Sequence, residues 1–250
     1  MSQKQTSHNQ ENKLEVTALE VKLGWKTVLR GIDVLCGPGV IGLCGANGSG
    51  KSTLMRTIAG IHQPTKGSIS ICGFDLQKAP VQARHQVGFY PEYAELYPYL
   101  TCGEFLQTIA AFRHVTYDKA RQYLKPLGLI DCEDTRLGEL SAGQRRKTML
   151  AAALCSRPPI LLFDEPTKGL DLQSRDLLAE QLLACKAENK IVILSTHLFE
   201  YAEAYCTSYL FLRDGQLIAQ GELDSIREQE ALPGADLATL YRHLHQKAQR

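Results

Sequence analysis

Apolar and polar residues alternate over Leu14-Glu15-Val16, and again where Leu19, Val21 and Leu23 flank Glu20 and Lys22. That two-residue period predicts a half-buried strand. Gly24-Trp25-Lys26-Thr27 reads as a turn, and Val28-Leu29-Arg30-Gly31-Ile32-Asp33-Val34 as a second strand of the same antiparallel sheet. Gly39-Val40-Ile41-Gly42-Leu43-Cys44 is apolar throughout, the pattern of a strand covered on both faces. The period then changes. Leu54, Met55, Ile58 and Ala59 share one helical face, and Gly60 stands where that helix should end. Gln63-Pro64-Thr65-Lys66-Gly67 is a turn by composition, and Ser68-Ile69-Ser70-Ile71-Cys72 alternates as a strand. Gln86-Val87-Gly88-Phe89-Tyr90-Pro91-Glu92 reads as a strand running into a loop.

From residue 93 the pattern is mostly helical. Tyr93, Leu96, Tyr97, Tyr99 and Leu100 crowd one stretch, which either packs locally or forms an exposed apolar patch for a partner. Thr101 with Glu104 is a capping box that starts a helix, whose apolar positions include Phe105, Ile109 and Phe112. A second helix is predicted over residues 117–125, stopped by Pro126 and Gly128. Ser141 and Gln144 form another capping box, opening a helix that runs to about residue 154. Ile160-Leu161-Leu162-Phe163 and Ile191-Val192-Ile193-Leu194 are buried strands, with a helix over residues 172–188 between them. Asp214-Gly215 marks a hairpin between residues 208–212 and 216–219.

These elements predict an α/β fold: a mainly parallel sheet flanked by helices, with an N-terminal antiparallel β subdomain and an inserted helical subdomain. Residues 1–12 are polar, lack periodicity and read as disordered. Residues 13–92 and 139–221 make the α/β core with its β subdomain, residues 93–138 the helical subdomain, and residues 222–250 a helical tail broken at Pro233-Gly234.

Composition narrows the function classes. With 44% hydrophobic and 22% charged residues, the 250-residue chain is an ordinary globular sequence. A net charge of +1 gives no electrostatic case for nucleic acid or anionic membrane, so no nucleic-acid partner is expected. No segment reads as a signal peptide, and no apolar run approaches the roughly 20 residues needed to span a bilayer. Action at a membrane would require a partner. The eight cysteines form no C-x-x-C pair and several sit in apolar patterns, so they read as buried thiols of a reducing compartment rather than metal ligands.

The chemistry begins at Gly45-Ala46-Asn47-Gly48-Ser49-Gly50-Lys51-Ser52-Thr53, which fits G-x-x-x-x-G-K-[ST], the P-loop of a nucleoside triphosphatase. The four fixed letters arise by accident on the order of once per hundred chains of this length. Here they also lie between a buried strand and a helix. Backbone N–H groups of such a loop form an anion nest. Lys51 can reach the β- and γ-phosphates, the Ser52 hydroxyl can hold Mg²⁺, and the helix start adds its positive end. Asp164-Glu165 ends a buried strand, the Walker B arrangement: Asp164 would hold Mg²⁺, and Glu165 would polarise the attacking water as general base. His197 follows the next buried strand and could hydrogen-bond the γ-phosphate and orient that water. Ligands of open α/β sheets collect at such carboxyl ends.

Leu140-Ser141-Ala142-Gly143-Gln144 supplies a second helix start able to bind an anion. A P-loop kinase has no use for it. With it, residues 14–221 resemble the ATP-binding subunits of ABC transporters. The motifs fall in that family's order: Walker A, the Q-loop position at Glu92, the signature at Ser141, Gly143 and Gln144, Walker B, the D-loop Gly169-Leu170-Asp171, and the H-loop His197. The resemblance implies two cassettes facing head to tail. ATP would lie between the Walker A of one and the signature of the other, with Glu165, His197 and Glu92 at the reacting end and Ser52, Asp164 and Glu92 around Mg²⁺.

Two positions depart from the family pattern. Glu92 replaces a glutamine; the surrounding Phe89-Tyr90-Pro91-Glu92 and Leu96-Tyr97-Pro98 resemble the branch of drug and antibiotic exporters, where glutamate is familiar. Leu23 stands where an aromatic residue would stack on adenine, leaving Trp25 or Val28 to complete that contact. Trp25 reads equally well as a packing residue. The resemblance implies an ATPase subunit driving transport, with export favoured. A second identical or different cassette would pair with it, and a separate transmembrane permease would dock near residues 93–100. That places the chain in the cytoplasm, peripheral at the inner face of the membrane. The competing reading is a soluble, non-transport ABC ATPase such as an iron–sulfur-assembly factor.

Overall fold

A computed structural model describes residues 12–93, 96–168 and 172–247. The predicted disorder of residues 1–12 lies almost wholly outside this range. Alternation in the N-terminal part yields β1 (Leu14–Leu23) and β2 (Lys26–Cys36), which pair antiparallel across the Gly24-Trp25 turn. β3 (Gly39–Cys44) follows, then α1 (Lys51–Ile58), β4 (Lys66–Ile71) and β5 (Phe74–Asp75). β1, β2, β4 and β5 form one antiparallel sheet in the order β2-β1-β4-β5.

The all-apolar strands go elsewhere. After α2 (Pro80–His85) come β6 (Val87–Tyr90), α3 (Cys102–Phe112), α4 (Tyr117–Arg121) and α5 (Ala142–Leu154). β7 (Ile160–Asp164), α6 (Leu172–Ala187), β8 (Ile191–Ser195), α7 (Phe199–Tyr205) and the hairpin β9 (Ser208–Arg213)–β10 (Gln216–Gly221) complete the core. The second sheet runs β10-β9-β3-β8-β7-β6, parallel except at the hairpin. β3, β7 and β8 are buried at every residue, which is why their sequences do not alternate.

One apolar core fills the space between the two sheets around α1, through Leu29, Leu54, Met55 and Ile69. A second lies on the other face of the parallel sheet, where Leu106, Leu150, Phe163 and Leu182 join the helical part to the core. α8 (Leu223–Gln229) and α9 (Leu237–Lys247) close a third against Tyr209 and Phe211.

Two local expectations need correction. In α3 the buried face is Cys102, Leu106 and Ala110, whereas Phe105 and Ile109 are half-buried and Phe112 is exposed. The stripe is offset because this helix packs on α4 and α5 through small residues. α4 ends at Arg121, not near residue 125. Pro126 has no N–H for a helical bond and disfavours helix at Lys125, so the chain turns through shorter bonds such as Tyr123 N–H to Ala120 O.

Both capping boxes form as read. Thr101 Oγ1 accepts from Glu104 N–H at 3.1 Å, and Thr101 N–H donates to Glu104 Oε2 at 2.8 Å. Thr101→Ala should cost about 1 kcal/mol, lowering the melting temperature by about 2–4 °C in a calorimetric scan.

Candidate nucleotide site

The carboxyl ends of β3, β7 and β8 open on a cavity of about 740 Å³. β3 delivers the glycine-rich loop. Gly50 has φ +110°, which excludes an L side chain, and a Cβ there would stand 2.8 Å from a Leu29 methyl. At Gly45 a Cβ would meet the Leu212 carbonyl oxygen at 2.4 Å. Both glycines therefore let the loop pack directly against the neighbouring strands. α1 begins at Lys51, and its first turn presents Lys51, Ser52 and Thr53 to the cavity. The Lys51 ammonium is buried and donates to the carbonyls of Gly45 at 2.7 Å and Ala46 at 3.1 Å. Burial lowers its pKa, while Glu165, Asp164, Cys44 and Glu92 favour its charge.

β7 delivers the paired carboxylates. Register places Asp164 beside Ser195 of β8. The Ser195 hydroxyl donates to Asp164 Oδ1 at 2.8 Å and accepts from the Glu165 backbone N–H at 2.9 Å. Asp164 Oδ2 is buried with no hydrogen-bond partner. Glu165 leaves the strand in a left-handed conformation, φ +50°, which turns its side chain off the strand course. Its Oε1 lies 3.0 Å from His197 Nε2, without the alignment of a hydrogen bond. Burial pushes the Glu165 carboxyl above the usual range, against opposing attraction from His197 and Lys51. Thr167 and Thr196 hydroxyls share a 3.1 Å hydrogen bond that ties the two strand ends further.

Glu92 enters from the loop after β6 and lines the same cavity. Lys168 Nζ donates to Glu92 Oε1 at 2.6 Å. Burial pushes the Glu92 carboxyl up, but bonds from Lys168 and Tyr93 outweigh this and hold it below the usual carboxylate range.

Most of the sequence-predicted residues thus meet. Asn47, Gly48, Gly50, Lys51, Ser52, Thr53, Glu92, Asp164, Glu165 and His197 share one cavity, with Val28 at its edge. Gly45 and Ser49 shape the loop from behind it. Trp25 is not a packing residue: it is fully exposed at the β1–β2 turn, and it lies outside the cavity lining, where Lys26 and Val28 stand. A two-stranded turn offers that ring nothing to pack on. Ser141, Gly143 and Gln144 also lie outside this lining. Ser141 Oγ accepts from Gln144 N–H at 3.1 Å, and Gln144 Nε2 donates to Cys132 Sγ at 3.0 Å. Asp171 falls outside the described residues.

Residues 29–168 match the family described as ABC transporter. The Nod factor export ATP-binding protein I of Burkholderia pseudomallei is 36% identical over 233 residues, covering 91% of this chain and 76% of that protein. This chain belongs to the ABC transporter ATP-binding family. A solved ATP-binding subunit of an ABC transporter is 33% identical with a TM-score of 0.88, covering 93% of this chain and 99% of that one. A dimeric ATP-binding cassette in a post-hydrolysis state, bound to ADP and phosphate, shares the fold at TM-score 0.76 and 23% identity, over 84% of this chain and 98% of that one. As a member of this family, the chain binds and hydrolyses ATP to power transport. No helix among the described residues is long and apolar enough to cross a membrane.

Sequence reading had no role for Ser195, Thr167, Thr196 or Lys168. The position of Ser195 at a buried strand end, beside Asp164 in register, was the one available signal. Ser195→Ala should leave Asp164 Oδ1 and the Glu165 N–H buried without a partner. The expected cost is about 1–3 kcal/mol, read as a lower urea midpoint with an unchanged slope.

Proposed function

We propose that the chain is the ATPase subunit of an exporter and works as one half of a head-to-tail pair of cassettes. The observation that carries the reaction assignment is the buried Glu165 carboxylate, 3.0 Å from His197 at the cavity that Lys51 also lines. In this reading the loop N–H groups and Lys51 bind the β- and γ-phosphates. Glu165 takes the proton from the water that attacks the γ-phosphorus, and His197 orients that water. The bond to the β–γ bridging oxygen breaks, releasing ADP and phosphate. Val28 and Lys26 line the wall on which the adenine would lie, with the exposed Trp25 on the adjoining turn.

The donor set fits Mg²⁺. Asp164 Oδ2 is a buried oxygen with no protein partner, Ser52 offers a hydroxyl on α1, and Glu92 a third oxygen on the same cavity. Such hard oxygen ligands suit this ion, which when bound neutralises charge between the β- and γ-phosphates.

The helix start at Ser141, Gly143 and Gln144 stands outside its own chain's cavity, which supports a role toward the ATP of a second cassette; the D-loop motif gives Asp171 a part in the same pairing. Tyr97 and Tyr99 are exposed beside the helical part, which supports docking of a transmembrane permease near residues 93–100, at the inner face of the membrane. The relative named for Nod factor export supports export, and transport over the soluble alternative.

Lys51→Ala should abolish most ATP binding; unchanged affinity in a fluorescence titration would defeat the site assignment. Glu165→Gln should lower turnover by at least about 10²-fold while ATP still binds. The base must be ionised, so activity exists above its pKa and is lost as pH falls through it. With Glu165 held above the ordinary 4.5, the acid limb of kcat/KM, which reports the free enzyme, should lie above that value, and a limb at or below it would remove Glu165 from the role.

A further inference from the structure

Lys168 lines this cavity, and neither the motifs nor the proposed reaction uses it. It follows β7 by four residues, as Glu92 follows β6 by two, and β6 and β7 are neighbours with Tyr90 opposite Phe163. Its ammonium is held at three points: 2.6 Å from Glu92 Oε1, 2.6 Å from the Tyr93 hydroxyl, and 4.8 Å from the centroid of the Tyr93 ring. The side chain is half exposed. An ion pair so placed contributes little to stability, while ordering a lysine costs up to about 2 kcal/mol of rotamer freedom. Stability is therefore a poor account of the arrangement.

Charge is a better one. Glu92, Asp164 and Glu165 all line a cavity built to receive a polyanion. Lys51 is drawn toward its charged form by Glu165 and Asp164 first and by Glu92 least. The cation in direct contact with Glu92 is Lys168, at 2.6 Å. We propose that Lys168 is a positioning residue for Glu92: its ammonium neutralises that carboxylate and pins it to the cavity wall, so that triphosphate does not meet an unpaired negative charge.

The inference rests on the nucleotide-site reading. It makes a specific prediction about pairs of substitutions. Lys168→Ala leaves Glu92 with the Tyr93 hydroxyl but without the cation in contact with it, facing the phosphates. Adding Glu92→Gln removes that charge and should restore binding, although the lysine is still missing. Were Lys168 instead a direct phosphate ligand, the double variant would stay weak.

The test is the Kd of a fluorescent ATP analogue for the full chain, measured in EDTA so that any metal role of Glu92 drops out. Lys168→Ala should bind about fivefold more weakly, the size of one like-charge contact screened nearly as in water. Lys168→Arg should bind within about twofold of the parent protein, and so should Glu92→Gln/Lys168→Ala. Equal melting temperatures would show that the fold is intact. Parent-like binding by Lys168→Ala, or a double variant as weak as the single, overturns the proposal. Parent-like binding by Lys51→Ala would overturn the nucleotide-site reading and this inference with it; a failed cycle alone removes only the inference.

Discussion

Two adjacent carboxylates, Asp164 and Glu165, are buried at the end of one strand, and the core is arranged to make that possible. An ionised carboxylate taken from water needs a charge or hydrogen-bond partner. Neither residue finds enough of them on its own strand. Parallel pairing brings Ser195 level with Asp164, and the one hydroxyl serves both an Asp164 oxygen and the Glu165 backbone. Lys51 supplies positive charge from the start of α1, and His197 Nε2 lies 3.0 Å from Glu165 Oε1. The left-handed turn at Glu165 then takes its side chain off the strand course that Asp164 follows, which suits the separate roles proposed for the two.

Everything else about the parallel sheet serves this convergence. β3 sits between β8 and β9, so the phosphate loop opens beside the carboxylates rather than at the sheet edge. β6 stands at the edge next to β7, which brings Glu92 to the same cavity from the far side.

The tail buttresses the same region. Glu203 on α7 accepts from Arg227 at 2.7 Å and from the Leu237 N–H at 3.3 Å, and Phe199 stacks at a tilt on Tyr241 with centroids 5.1 Å apart. α7 starts two residues after His197. Residues 222–247 therefore hold the helix that carries the histidine loop, which gives the tail a structural reason to fold back on the sheet.

The chain's sequence alone determined the elements whose causes are local. The phosphate loop, the two capping boxes, the buried strands and the Asp164-Glu165 ending are each written in a few consecutive residues, because hydrogen bonds across three or four positions and side-chain periodicity create them. Tertiary structure decided the contacts between residues far apart in the chain. Ser195 on Asp164, Lys168 on Glu92 and the offset face of α3 depend on strand order and helix crossing, to which periodicity is blind. Trp25 shows the same limit from the other side: its place near the loop suggested a partner, but the turn that carries it points into solvent. The residues that compose the nucleotide site were legible one by one; their charges were balanced only when the sheet brought them together.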